Sequence, residues 1–281
     1  MSQLISIVKL TRPINCLLAV VSVWTGAYMT LSPVALWPVA IASLCAFLVC
    51  AAGNVHNDIC DLAVDQIAHP ERMLPSGQVS IAVAGWLALG FVIVGLILAG
   101  SFGTQLLLLV ASIAAFLYLY NTQIKRWPFV GNLLGGLIAG GTFLVGGIVN
   151  DPEEAFLLPG PLIPAVFGVL LHLGRELVKD IADLEGDSPA GIRTVPSLIG
   201  VRPTLVIVTI LGLALGVAIY VPYAYEWYGV RYWIISIAGV VPLTLGMSLV
   251  ALIRPSRQMI LALSSSLKAS MLVGLAALYL A

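Results

Sequence analysis

An acidic pattern occurs twice in this sequence, as Asn57-Asp58-Ile59-Cys60-Asp61-Leu62-Ala63-Val64-Asp65 and as Lys179-Asp180-Ile181-Ala182-Asp183-Leu184-Glu185-Gly186-Asp187. Asp58, Asp61 and Asp65 recur with the same spacing as Asp180, Asp183 and Asp187, and Asn54 answers to Glu176. On a helix, positions i, i+4, i+7 and i+11 share a face, so Asn54, Asp58, Asp61 and Asp65 form one column of oxygens and Glu176, Asp180, Asp183 and Asp187 another. Crowded carboxylates repel unless cations hold them. All-oxygen sets of this kind suit Mg²⁺ bound jointly with a substrate phosphate. Arg72-Met73-Leu74-Pro75-Ser76 follows the first motif and is echoed by Arg193-Thr194-Val195-Pro196-Ser197 after the second, while Lys125-Arg126 adds a third cationic point. The planar fork of arginine donates two parallel hydrogen bonds to phosphate oxygens, which makes Arg72 and Lys125 candidate ligands of a diphosphate. The bland alternatives are an ordinary solvated helix end for an acidic motif and a topology signal for a cation. The repetition at equal spacing argues for a site that holds a metal-bound polyanion.

Such a site needs elements to carry it, and the composition says where they lie. Of 281 residues only 9% are charged and 60% are hydrophobic, with a mean hydropathy of +1.06; soluble domains carry about 25% charged residues. Apolar stretches of the roughly 20 residues needed to cross a bilayer lie near 14–32, 34–56, 80–100, 103–122, 129–149, 158–178, 203–223, 232–253 and 258–280. The expectation is an all-α, polytopic membrane protein with nine transmembrane helices. The first stretch has no small-residue cleavage site after it and is expected to be retained. Lys9, Arg12, Arg72, Lys125, Arg126, Arg175, Lys179, Arg193, Arg202, Arg254 and Arg257 fall at the N-terminus or in even-numbered connections, against Arg231 alone in an odd-numbered one. By the positive-inside rule the N-terminus and both acidic motifs face the cytoplasm and the C-terminus lies outside. With a formal net charge of zero and no global basic surface, nucleic acid is not an expected partner.

The two motifs are about 122 residues apart, so residues 1–281 read as one domain of two related four-helix halves, about 14–122 and 129–253, with a ninth helix at 258–280. The polar stretches 59–79 and 184–202 are long enough to hold short helices as a cytoplasmic cap. Gly131, Gly135, Gly136, Gly140, Gly141, Gly146 and Gly147 load the fifth span with small residues that allow close helix packing. Cys16, Cys45, Cys50 and Cys60 have no CxxC spacing and are expected to pack as small hydrophobes, with Cys60 behind the acidic face. His172, one turn from Glu176, reads as a packing histidine or an acceptor contact. Lys268, among Ser264, Ser265, Ser266 and Ser270 near the middle of the last span, is expensive there unless it faces the interior. A structural partner, an acceptor-phosphate ligand and lipid snorkelling are its three readings.

With these residues in place, the sequence resembles the UbiA superfamily of intramembrane prenyltransferases. That family's first motif, NDxxDxxxD followed by R-P-x-P-S-G, is matched by Asn57, Asp58, Asp61, Asp65, Arg72, Leu74, Pro75, Ser76 and Gly77, with Met73 in place of the first proline. Asp183 and Asp187 match its DxxxD motif, the Arg12-Pro13 start fits, and Tyr120 with Lys125 corresponds to a Tyr and Lys of the fourth connection. The resemblance implies helices around a central cavity that holds an isoprenoid tail, and Mg²⁺ bridging both motifs and the diphosphate of a prenyl donor. Asn57, Asp61 and Asp65 with Arg72 would hold one side of that cluster, Asp183 and Asp187 the other. Asp58, Asp61, Asp180 and Asp183 are the expected catalytic acids, and Arg72, Lys125, Lys179 and Arg193 the expected diphosphate ligands. Asn54, Tyr120, His172, Glu176 and Lys268 are candidates for the acceptor or the cavity wall.

Within the superfamily, the stretch from Arg175 to Asp187 is most similar to digeranylgeranylglyceryl phosphate synthases. This implies transfer from geranylgeranyl diphosphate to a lipophilic acceptor, geranylgeranylglyceryl phosphate, with Asp180 as base for the glycerol hydroxyl. An aromatic acceptor of quinone or chlorophyll-type synthesis is the alternative. Intramembrane carboxylates also line transport pathways, which keeps an ion or substrate transporter open as another class.

Overall fold

The computed structural model describes residues 3–187 and 193–281, and among them every regular element is a helix. Helix boundaries fall at the residues that cannot continue a helix. α1 (Gln3–Thr11) stops at Arg12, held in a left-handed conformation at φ 52°, and α2 (Pro13–Tyr28) begins on the proline, whose missing N–H is not needed in a first turn. The two axes meet at 46°. α3 (Leu36–Cys60) runs almost directly into α4 (Leu62–Ala68). The Ser80 hydroxyl then accepts the Val83 N–H and caps α5 (Ile81–Phe102). Gly103, at φ 142°, makes a reversal that a side chain would resist, and α6 (Thr104–Thr122) doubles back. α7 (Val130–Asn150) and the 26-residue α8 (Leu162–Asp187) follow, then α9 (Val195–Ile199), α10 (Val201–Ala224), α11 (Val230–Ile235), α12 (Met247–Ile253) and α13 (Arg257–Leu278). Between α11 and α12 the chain winds as a π-helix over Ser236–Val240 and Pro242–Gly246. Pro242 has no N–H for the ordinary ladder, and the wider winding absorbs the gap.

The helices form a ring. α2 packs on α3 and α7, α3 on α5 and α6, α7 on α8, and α8 on α10 and α13. Tyr279 closes the ring: its hydroxyl accepts from Thr25 Oγ1 at 3.3 Å and its ring lies 5.1 Å from that of Tyr28. The glycine-rich α7 makes the tightest contacts. A Cβ on Gly26 would lie 1.8 Å from the Phe143 carbonyl oxygen, one on Gly146 1.9 Å from that of Val23, and one on Gly140 2.4 Å from that of Ala165. Small residues there let α2 and α8 approach α7 backbone to backbone, as expected for helices packing in lipid. Gly141 is different, with open space where a Cβ would be.

Among the described residues, seven helices are long and apolar enough to cross a bilayer, with Val230–Ile253 taken as one, and the bent pair of α1 and α2 makes up to eight. The remaining expected span, 158–178, corresponds to α8. It has the length, but Arg175, Glu176, Lys179, Asp180 and Asp183 in its C-terminal half remove it from a count made on apolarity. At one end of the bundle the short connections are tied together: Ser32 Oγ donates to Asp151 Oδ2 at 2.6 Å, Leu31 N–H to Glu154 at 2.6 Å and Ala35 N–H to Asn150 at 2.7 Å. The C-terminal ends of α3, α6 and α8 and the start of α7 gather at the other end. There the 69–79 loop is seated by Leu74 and Val79, which pack with Leu10, Val55 and Ala84, and by Ser6 Oγ donating to Gln78 at 3.1 Å.

Candidate active site

The first acidic motif straddles the junction of α3 and α4. The backbone barely breaks there: Asp61 N–H still reaches the Asn57 carbonyl at 2.9 Å and Asp65 N–H that of Asp61 at 2.8 Å. Helical phase is therefore kept, but the column divides along its two edges. On one edge Asn57 Nδ2 donates to Asp61 Oδ2 at 2.9 Å, and Lys125, from the connection after α6, places Nζ 2.9 Å from Asn57 Oδ1 and 2.7 Å from Asp61 Oδ1. On the other edge the buried Asp58 and Asp65 meet Arg12 and Arg72. Arg12 Nη2 pairs with Asp58, and Arg72 Nη1 is 2.7 Å from both Asp65 oxygens. Asn54 leaves the column altogether. Its amide donates to the Thr11 carbonyl at 3.0 Å, beside Cys16 and Cys50, and so binds α3 to the end of α1.

The second motif lies on the last turns of α8. Asn132, in the first turn of α7, donates through Nδ2 to Asp180 Oδ2 at 2.9 Å and accepts the Phe129 N–H on Oδ1 at 3.2 Å. Glu176 Oε1 takes Arg175 Nη1 at 2.8 Å and lies 3.7 Å from His172 Nε2. Asp187 ends the helix, and its side chain lies outside what the structure describes.

The two motifs face one another because α4 packs on α8. Burial works against the Arg72 cation, but the hydrogen bond and charge of Asp65, with Asp58 and Asp183 behind them, hold its pKa above the ordinary guanidinium value. Arg72 thus feels acids of both motifs. Tyr120 also belongs here: its hydroxyl is 3.0 Å from where a Cβ on Gly135 would be, the His172 ring 3.9 Å from the same point, and it lies within the field of Glu176, Asp180 and Asp61.

Two expected residues are elsewhere. Arg193 is exposed and forms no ion pair among the described residues. Lys268 does not face the interior, because helical phase turns Ser266, Leu267 and Ser270 inward and leaves Lys268 exposed on the outer side of α13. Cys60 is half-buried beside His56, whose ring stacks on Tyr118. Sequence reasoning missed Asn132 and treated Arg12 only as part of a motif start and a topology signal. The one signal for Asn132 was an amide near the start of an otherwise apolar, glycine-rich span, where a polar group needs a partner.

Among the described residues, no three His, Cys, Asp or Glu side chains converge as they would around a metal ion. Each acid of the first motif is instead drawn to its own cation. The donor chemistry nevertheless fits Mg²⁺: Asn57, Asp61, Asp65 and Asp183 present only oxygen to a hard cation, and positive groups already rest on the carboxylates of Asp61 and Asp65.

Comparison with known proteins agrees with this arrangement. Residues 18–271 match the UbiA prenyltransferase family. The chain is 35% identical over 216 residues to digeranylgeranylglyceryl phosphate synthase of Methanopyrus kandleri, which covers 76% of this chain and 77% of that protein. A solved structure of a digeranylgeranylglyceryl phosphate synthase in membranes superimposes with a TM-score of 0.76 at 30% identity, covering 99% of this chain and 98% of that one. A UbiA homolog from Archaeoglobus fulgidus bound to GPP and Mg²⁺ has the same fold, with a TM-score of 0.63 at 17% identity over 98% and 99% of the two chains. With paired acidic motifs at one end of a helical ring and a family match along most of its length, the chain belongs to the UbiA prenyltransferase family.

Proposed function

We propose that this prenyltransferase moves a geranylgeranyl chain from its diphosphate to the free hydroxyl of geranylgeranylglyceryl phosphate, forming a second ether bond and releasing diphosphate. The observation that carries the reading is the packing of α4 on α8, which brings Arg72 of one motif under the influence of Asp183 of the other. The choice of acceptor rests on the relatives of similar length that bear the name of that activity.

Asn57, Asp61 and Asp65 would hold Mg²⁺ from one side and Asp183 and Asp187 from the other. Bound there, the ion neutralises charge on the departing diphosphate. Arg72 and Lys125, now resting on carboxylates, have the length to turn to diphosphate oxygens and stabilise the same charge. As the allylic C–O bond breaks, the electron pair leaves with diphosphate and the acceptor oxygen attacks C1. Asp180, its rotamer fixed by Asn132, takes the hydroxyl proton. Apolar faces of the ring exclude water from the allylic cation. The charge bias of the connections favours a cytoplasmic site, with α8 counted as the ninth span.

Purified protein would be given geranylgeranyl diphosphate, Mg²⁺ and a panel of glycerophospholipid and aromatic acceptors, with diphosphate release and lipid products measured. Ether product from the glycerol acceptor is expected. Prenylation of an aromatic acceptor alone would overturn the acceptor, and cation movement across vesicles without any prenylated product would overturn the enzyme reading.

A further inference from the structure

Two cations, Arg175 and Lys179, lie on the inner turns of α8 with Glu176 and Asp180 beside them, apart from Arg72 and Lys125 of the diphosphate site. Arg175 and Lys179 stand four residues apart, a like-charge i, i+4 pair that weakens a helix unless an anion lies between them. Glu176 and Asp180 are the carboxylates beside them, and the charges acting on Glu176 are Lys179, His172, Arg175 and Arg12. Arg12 also pairs with a second acid, Asp58. A guanidinium carries five N–H donors, whereas Arg175 forms one hydrogen bond among the described residues, from Nη1 to Glu176 at 2.8 Å. Its side chain keeps 22% of its surface exposed, so the remaining donors open onto accessible space. Open guanidinium donors one turn from the exposed ammonium of Lys179 can take a phosphate oxygen.

Resting on the ether-lipid reading above, we propose that Arg175 and Lys179 bind the phosphate monoester of the acceptor, in a site separate from the one that Arg72 and Lys125 make for the diphosphate. Two phosphorylated substrates that react with each other repel at close range, so each requires its own cations. Arg175 lies two helical turns, roughly 12 Å, from Asp183, and Asp180 falls between. A phosphate at Arg175 and Lys179 therefore places the adjacent glycerol hydroxyl toward Asp180 and toward C1 of the donor. Lys179 replaces the Asn57 of the first motif, so this charge belongs to the second half alone.

The test is a set of initial rates for wild type, Arg175→Gln, Arg175→Lys and Lys179→Gln, at varied donor and acceptor. Each would be measured with the phosphorylated acceptor and with the same lipid alcohol lacking phosphate. Each glutamine variant should raise KM for the phosphorylated acceptor about tenfold, the loss of one charge-assisted contact of roughly 1.4 kcal/mol. Donor KM should stay within about twofold, and the preference for phosphorylated over unphosphorylated acceptor should shrink by the same factor. Arg175→Lys should recover part of it. Lys179 is exposed, so its variant carries the test if an Arg175 variant does not fold. Equal losses on both acceptors, or a rise in donor KM alone, would return these residues to structural or diphosphate roles. Wild type that forms ether while the variants match it overturns the phosphate site only. Wild type that ignores the glycerol acceptor and prenylates another overturns the acceptor reading and the site with it.

Discussion

Asn132 and Asp180 join the two helices that carry the second half of the site: the amide Nδ2 of α7 lies 2.9 Å from the carboxylate Oδ2 of α8. The same amide oxygen accepts the Phe129 N–H, so Asn132 is oriented from both ends. Removing it takes one hydrogen bond from the Asp180 carboxylate. Asn132→Ala should lower kcat about five- to tenfold, in keeping with roughly 1 kcal/mol for such a hydrogen bond, with little change in donor KM. Steady-state kinetics checks this, and an unchanged kcat would remove Asp180 as base or Asn132 as its support.

Asp61 and Asp183 stand for the two motifs. Asp61→Ala and Asp183→Ala should each cut turnover at least about a hundredfold, the scale lost when charge stabilisation is removed from a transition state. Lys125→Gln should do likewise through the diphosphate and should also free Asp61 from its 2.7 Å contact. Diphosphate release by detergent-purified protein with an unchanged unfolding midpoint is the measurement, and activity retained by either alanine variant would take that motif out of the metal set.

Close packing of α2 on α7 predicts a contrast among their glycines. Gly146→Ala would push a methyl to 1.9 Å from the Val23 carbonyl and Gly26→Ala to 1.8 Å from that of Phe143, whereas Gly141→Ala meets nothing. The first two should lose about 1–3 kcal/mol or more of stability. The third should be neutral or gain up to about 1 kcal/mol from helix propensity. Thermal unfolding in detergent distinguishes them.

Asp151 sets an acid limit on the end of the bundle away from the motifs. The Ser32 hydroxyl, then the N–H groups of Glu154 and Glu153, hold its carboxyl below the ordinary range against a smaller opposing effect of burial. A depressed folded pKa contributes stability that is complete above the unfolded value near ~4 and is lost as pH falls through the folded value. Asp151→Asn should therefore flatten the fall in unfolding temperature between about pH 5 and pH 3. A variant with the same acid dependence as wild type would show that the contact contributes nothing.

The helical membrane architecture, the doubled motif and the gathering of charge at one end were all legible in the sequence, because each follows from local periodicity and from the cost of placing charge in hydrocarbon. The short helices α4 and α9 lie inside polar stretches that the spacing had marked as long enough for them. Phase along a helix was legible too, yet phase alone does not say what stands opposite each edge. Whether Asp61 meets Lys125 or Arg72, and whether Asp58 meets Arg12, depends on elements brought together by folding from more than forty residues away. Asn132 and Lys268 make the same point from opposite sides. An amide among glycines has no role in the sequence until α8 lies beside it, and a lysine among serines has three readings until the packing of α13 leaves it exposed. Apolar spacing determined which segments can cross the membrane, and close backbone packing at Gly26, Gly140 and Gly146 decided which of them lie against one another.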